Sequence, residues 1–144
     1  MKPIYFLSII LLFTNCKTSK LGITQINFTA GGCFGTCPIF KMTIVDDGTA
    51  TYDAIRFNKK QGQFKTTIQK VQLDSLNDLL TKADFFNLNN NYATRATDHP
   101  TYTLAITLKN GQTKKIVDYG PSGPQELRLV YKKIFSLRES EAWK

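Results

Sequence analysis

The sequence predicts an α+β domain in which an antiparallel sheet built from hairpins carries two amphipathic helices on one face. Three observations carry that expectation. Two pairs of alternating runs flank turn signals, at Asp46-Asp47-Gly48 and at Asn110-Gly111. Two stretches, Leu73 to Phe86 and Leu127 to Leu137, repeat apolar residues at helical spacing. Their order is strands then helix, hairpin then helix, and hairpins imply antiparallel pairing rather than a doubly wound parallel sheet.

Gln25 to Phe28 reads as a short first strand, followed by a compact glycine-punctuated loop over residues 30–38. Ile39 to Val45 and Thr49 to Phe57 form the first hairpin, and register decides its turn. A two-residue Asp47-Gly48 loop sets Ile44 against Thr51 and Met42 against Asp53, polar against apolar. A three-residue loop with Gly48 left-handed opposes Ile44 to Ala50, Met42 to Tyr52 and Phe40 to Ala54, and pairs Lys41 with Asp53 on the wet face. The second register is therefore predicted, and it explains Asp46 and Asp47 as turn chemistry rather than as a catalytic carboxylate pair.

Gly62 turns the chain into a third strand near Phe64 to Ile68. Leu73, Leu76, Leu79, Leu80, Ala83 and Phe86 predict a helix over 72–86, and the polar stretch 87–100 reads as a long loop. In the second hairpin Asn110-Gly111 suits a two-residue type I′ turn, which sets Leu108 against Thr113, Ile106 against Lys115, Leu104 against Val117 and Tyr102 against Tyr119. A last helix begins with Pro124 in its first position and Glu126 in its first turn, its stripe being Leu127, Val130, Tyr131, Ile134 and Leu137.

With 144 residues, 42% hydrophobic and 21% charged, the chain has the size of one ordinary domain with its own core. Its N-terminus has a different character. Met1-Lys2 opens positively, Pro3 to Phe13 is almost wholly apolar, and Thr14-Asn15-Cys16 follows, which is signal-peptide architecture. An apolar run of about 11 residues, at 1.5 Å per helical residue, is too short for a hydrocarbon core of roughly 30 Å.

A Cys closing such a segment resembles the lipobox of bacterial lipoproteins, with Phe13 and Asn15 standing where that pattern usually has Leu and a small residue. The resemblance implies residues 1–15 as a leader cleaved before Cys16, lipid on Cys16, a tether over 16–24 and one domain over 25–144. Several acyl chains on one residue anchor far more firmly than one. The expected location is the cell envelope, lipid-anchored at the outer membrane on its periplasmic or surface face.

The chain carries 19 Lys+Arg against 11 Asp+Glu, a formal charge of +8. The basic residues are scattered and no aromatic-interleaved basic helix occurs, so solvated faces explain them and no nucleic-acid partner is expected.

Cys33 and Cys37 are the chemically pointed pair. An exported protein meets an oxidising compartment, and with Cys16 lipidated an even pair is left, which predicts a disulfide. A ring of about five residues contributes roughly 2 kcal/mol in the chain-entropy account, so the bond mostly shapes its loop. The sharper alternative is thiol-redox or copper/zinc handling, since Cys-x-x-x-Cys-Pro resembles the membrane-tethered copper chaperones with a thioredoxin fold. There the pair opens a helix, whereas here an alternating strand follows Pro38, which removes the helix N-terminus that lowers a catalytic thiol pKa. His99, the sole histidine, completes no metal site that the spacing supports.

No Gly-x-Ser-x-Gly, phosphate-binding glycine loop or His-Glu-x-x-His occurs. No catalytic residue, cofactor or metal is expected. The best candidate binding loop is polar: Asn89, Asn90, Asn91, Tyr92, Arg95, Asp98 and His99.

The run Gly32-Cys33-Phe34-Gly35-Thr36-Cys37-Pro38, the Asp-Gly-Thr-x-x-Tyr of Asp47 to Tyr52, and later Tyr92, Asp98 and the Asn110-Gly111 hairpin together resemble an uncharacterised family. It is a domain of unknown function common in bacterial lipoproteins, and the similarity covers about residues 25 to 137. The resemblance implies an envelope lipoprotein domain and brings no catalytic residues with it. The expected role is a noncatalytic binding module, held to the membrane through Cys16 and meeting an envelope protein or glycan partner.

Overall fold

Alternation along the strands decides the architecture, because each strand must turn one row of side chains to a core and the other to water. A computed structural model describes residues 21–144, so the expected leader over 1–15, Cys16 and most of the expected tether lie outside the described residues. The strands are β1 (Ile23–Ala30), β2 (Ile39–Val45), β3 (Thr49–Arg56), β4 (Gly62–Thr67), β5 (Asn91–Ala93), β6 (Thr101–Leu108) and β7 (Thr113–Tyr119). They form one sheet in the order β4-β3-β2-β1-β6-β7-β5. Two helices, α1 (Lys70–Lys82) and α2 (Gln125–Ser140), cover one face, giving the α+β fold.

The inner row of β1 is Ile26, Phe28 and Ala30, each at most 1% exposed. It pairs Ile26 with Ile44 and Ile106, and Phe28 with Met42 and Leu104. Helix α1 adds Leu73, Leu76 and Leu80, and α2 adds Leu127, Val130, Tyr131, Ile134 and Leu137. Burying a Leu, Ile or Phe side chain is worth about 1.5–3 kcal/mol each, so this two-sided contact is what fixes the helices on the sheet. The opposite face is polar. At its centre the Asn27 side-chain oxygen accepts hydrogen bonds from Gln25 Nε2 at 3.0 Å and Thr43 Oγ1 at 2.9 Å.

The first hairpin has the expected register: Ile44 opposes Ala50, Met42 opposes Tyr52, Phe40 opposes Ala54 and Lys41 opposes Asp53. Gly48 takes a φ of +88° and donates to Val45 O at 2.9 Å, while Asp47 Oδ1 accepts Thr49 N at 2.7 Å. That bond holds the exposed Asp47 carboxyl below the usual carboxylate range.

The second hairpin corrects the expectation. Leu104 opposes Ile116 and Tyr102 opposes Asp118, one residue away from the predicted pairing with Val117 and Tyr119. Leu108 N donates to Gln112 O at 2.8 Å around a three-residue Lys109-Asn110-Gly111 loop, with Gly111 at a φ of +84°. Both hairpins thus use the same bulged turn, and the shift moves Val117 and Tyr119 to the polar side.

Three further departures have local causes. Asp84 is left-handed at a φ of +48°, which ends the predicted 72–86 helix early and swings Phe85, fully buried, into the core through a short 3-10 turn (Phe85–Asn87). The predicted long loop contains β5, which pairs parallel with β7 and makes the mostly antiparallel sheet mixed. Strand β1 begins at Ile23, only 8% exposed, two residues before the expected Gln25, and Pro124 stands just before α2 rather than inside it.

The two bulge glycines differ in a way that stability measurements resolve. A Cβ at Gly48 would lie 2.7 Å from Ile68 O, while one at Gly111 meets nothing within 4 Å. Gly111→Ala is expected to cost only the left-handed penalty of about 1–2 kcal/mol, and Gly48→Ala clearly more, as read from urea denaturation midpoints.

Candidate functional site

Strand directions bring four connections to one end of the sheet: the β1–β2 loop (31–38), the β3–β4 turn (57–61), the β5–β6 loop (94–100) and the β7–α2 link (120–124). Backbone bonds tie them to one another. Gly31 N donates to Thr101 O at 2.8 Å, Gly120 N to Pro100 O at 2.9 Å, and Thr94 N to Tyr119 O at 3.1 Å. Asn58 Nδ2 donates to Ile39 O at 2.8 Å, fixing the β3–β4 turn on the start of β2.

The most prominent feature there is the cysteine loop. Cys33 and Cys37 lie at disulfide-bonding distance with Cα atoms 5.7 Å apart. Gly35, with a φ of +154°, donates its N–H to Cys33 O at 2.9 Å, which closes a tight turn around Phe34 inside the ring. Phe34 is held 89% exposed. An aromatic side chain presented in this way gives up apolar burial. The exposed Ile55 and Phe57 lie at the end of β3 that reaches this same edge of the molecule, with the Arg56 guanidinium 4.6 Å from the Phe57 ring centroid.

Beneath the loops lies a buried charge that the sequence reading missed. Asp118 on β7 is fully buried and faces the core side. Its carboxylate accepts Ser122 N at 2.7 Å, Gly123 N at 3.1 Å and Ser122 Oγ at 3.2 Å, so it satisfies the backbone donors of the link that enters α2. Gly123 leaves room for this contact: a Cβ there would come 2.9 Å from the Asp118 carboxylate and 2.8 Å from Leu127, so one of them would have to shift. The buried Tyr131 hydroxyl faces the Asp118 carboxylate. Burial pushes its phenol far above the ordinary range, and the Asp118 charge adds to that.

The residues predicted as a binding loop do not form one patch. Asn89 and Asn90 precede β5, where Asn89 N donates to the Tyr92 hydroxyl at 3.0 Å and Asn90 O accepts Val117 N at 2.9 Å. Asn91 and Tyr92 lie within β5, Tyr92 half-buried. Arg95, Asp98 and His99 follow it, exposed, with Asp98 at a φ of +69° and His99 edge-on to the Tyr119 ring at 6.4 Å. The groups lie on either side of the last residue of β5, with Ala93 and Thr94 between Tyr92 and Arg95. Arg95, Asp98 and His99 share the end of the sheet with Cys33, Cys37 and Phe34, and the Tyr92 ring lies beside Gly123 of the β7–α2 link there. Among the described residues no group of three or more His, Cys, Asp or Glu is placed to hold a metal ion.

Residues 24–138 match a domain of unknown function, DUF6438. The chain belongs to this family. A comparison with curated proteins returns no match. The DUF6438 region runs from β1 to the last turn of α2 and so contains the disulfide loop, Asp118 and the whole sheet. Among the described residues no helix is long and apolar enough to cross a membrane.

Two outcomes check the buried polar nucleus. Asp118→Ala leaves the Ser122 and Gly123 N–H groups unpaired and is expected to cost about 1–3 kcal/mol for each buried donor, whereas Ser122→Ala costs no more than about 1.5 kcal/mol. Tyr52, Tyr102 and Tyr131 all have raised phenol pKa values, burial being the first cause. A raised folded-state pKa keeps its stabilising effect below the unfolded value and loses it as pH climbs, so urea midpoints should be level up to about pH 10 and fall above it.

Proposed function

We propose that this protein is a lipid-anchored lipoprotein of the bacterial envelope, probing its surroundings as a noncatalytic binding module. The observation that carries the binding role is Phe34, held 89% exposed at the tip of the Cys33–Cys37 loop. Aromatic anchors on preorganised loops bind well because little conformational entropy is lost when they are buried in a partner pocket. The surrounding connections are joined by backbone hydrogen bonds, which supports a stiff platform. The anchor rests on the leader-like Met1 to Phe13 and on Cys16, and it places the platform at a membrane facing an envelope protein or glycan.

The thiol-redox and metal-handling alternative draws less support. Cys37 leads through Pro38 into β2 rather than into a helix, so the backbone supplies no helix N-terminus to stabilise a thiolate.

A photoreactive phenylalanine analogue at position 34 of the full chain, irradiated in intact cells, should yield a discrete cross-linked species. The same probe at exposed Val71 on α1 should not. Cys33→Ser with Cys37→Ser should weaken that adduct and cost about 2 kcal/mol of stability, and Cys16→Ser should abolish palmitate labelling and membrane retention. Absence of any adduct at position 34, with cysteine variants that lose only thermal stability, would overturn the binding role of the loop.

A further inference from the structure

The strongest unassigned feature lies away from the cysteine loop, where the chain after α2 folds back over β4. Lys144 N donates to Lys65 O at 3.0 Å and Lys65 N to Lys144 O at 2.8 Å, while Thr66 Oγ1 donates to Ala142 O at 3.2 Å. Trp143 Nε1 donates to Leu137 O at 3.3 Å, which fixes the indole. Between this segment, β3 and β4 opens a half-enclosed cleft of about 400 Å³, within the size range of small-ligand sites.

Its walls are of two kinds. Tyr52, Phe64 and Trp143 form an aromatic side, with the Tyr52 and Trp143 centroids 5.2 Å apart and their planes tilted by 48°. Lys59, Lys60, Arg138 and Lys144 supply four cations against the carboxylates of Glu139 and Glu141. Arg138 is stationed firmly: its side chain is 14% exposed, its guanidinium stands 5.2 Å from the Phe40 and Phe135 centroids, and Nη1 donates to Asn58 Oδ1 at 3.3 Å. Glu139 pairs with both Arg138 and Lys59. The Lys59 hydrogen bond, with Arg138 behind it, holds the Glu139 carboxyl below the usual carboxylate range.

The Glu139 carboxylate therefore marks a position built for a carboxylate, between the largely buried Arg138 guanidinium and Lys59, whose side chain is 83% exposed. Tyr52 is only 6% exposed and lies against the Trp143 indole, so the partly exposed Trp143 supplies the aromatic face left for a ligand, and a single such face suits the C–H side of a puckered ring. From this juxtaposition we propose that the cleft is a binding site for an acidic sugar of the uronic-acid class. The sugar ring rests on Trp143, which Tyr52 backs from within, and its carboxylate takes the place of Glu139 between Lys59 and Arg138. The site is independent of the Phe34 platform and of the lipid anchor. Residues 139–144, which carry Glu139 and Trp143, lie beyond the DUF6438 match at 24–138.

Trp143 is the single tryptophan of the chain, so its fluorescence reports this cleft and nothing else. The full chain in detergent micelles is titrated with glucuronic acid, with glucose and sodium acetate as controls. The expected result is a saturable emission change with glucuronic acid, at a Kd at least about tenfold below that of either control. Glu139→Gln removes the internal competitor and should tighten binding several-fold, while Lys59→Ala should weaken it. A purely structural role for Glu139 predicts no gain on neutralising it. No saturable change with glucuronic acid, an equal response to glucose or acetate, or weaker binding in Glu139→Gln would each overturn the proposal.

Discussion

The ring of Phe28 stands where every layer of the domain meets. Its strand, β1, is paired along both edges, so the inner row of β1 has no lateral escape and has to be covered from above. The ring packs within 6 Å of Phe40 on β2, Tyr102 on β6, and Tyr131 and Phe135 on α2. Filling that position with one large aromatic side chain sets the height and the rotation of α2 over the sheet. The placement of α2 in turn determines where the β7–α2 link enters and where the chain after α2 returns to β4. Both the Asp118 cap and the Trp143 cleft are downstream of this packing.

The two polar features serve different purposes. Asp118 is a carboxylate spent on backbone: it accepts from the link into α2 and so does the work of a helix cap from a neighbouring strand, where Pro124 offers no capping side chain. Arg138 is a cation spent on rings and on Asn58, and only its outer edge faces the cleft. The first group is closed and silent. The second is partly open, and its carboxylate partner is displaceable.

The sheet, both helices and the first hairpin were legible because their two faces differ in polarity, and a one-residue slip in that hairpin visibly misplaces Ile44 and Met42. The second hairpin was misread by one residue for the opposite reason. Val117 and Tyr119 are as apolar as Ile116, so pattern alone did not separate the registers, and Asn110-Gly111 invited a two-residue turn. That slip hid Asp118, which then sat on the outer face. Strand β5 was invisible, since three residues of a polar stretch acquire strand geometry only from β7. That Cys33 and Cys37 come together was legible from their spacing around Gly35. The prominence of Phe34 was not, because burial is a property of the finished loop, and the cleft required knowing that the last residues fold back rather than trail away.

That returning segment also changes how the sheet ends. An outermost strand normally shows a row of unpaired amides, an open template for another chain. On β4 the central pair of these groups is already engaged by Lys144 in both directions, and at the far side β5 spans only Asn91–Ala93. Neither border offers the uninterrupted length on which a second molecule could zip its own strand. Both borders therefore keep only short open stretches, which hinders the strand-on-strand growth by which sheets extend into fibrils.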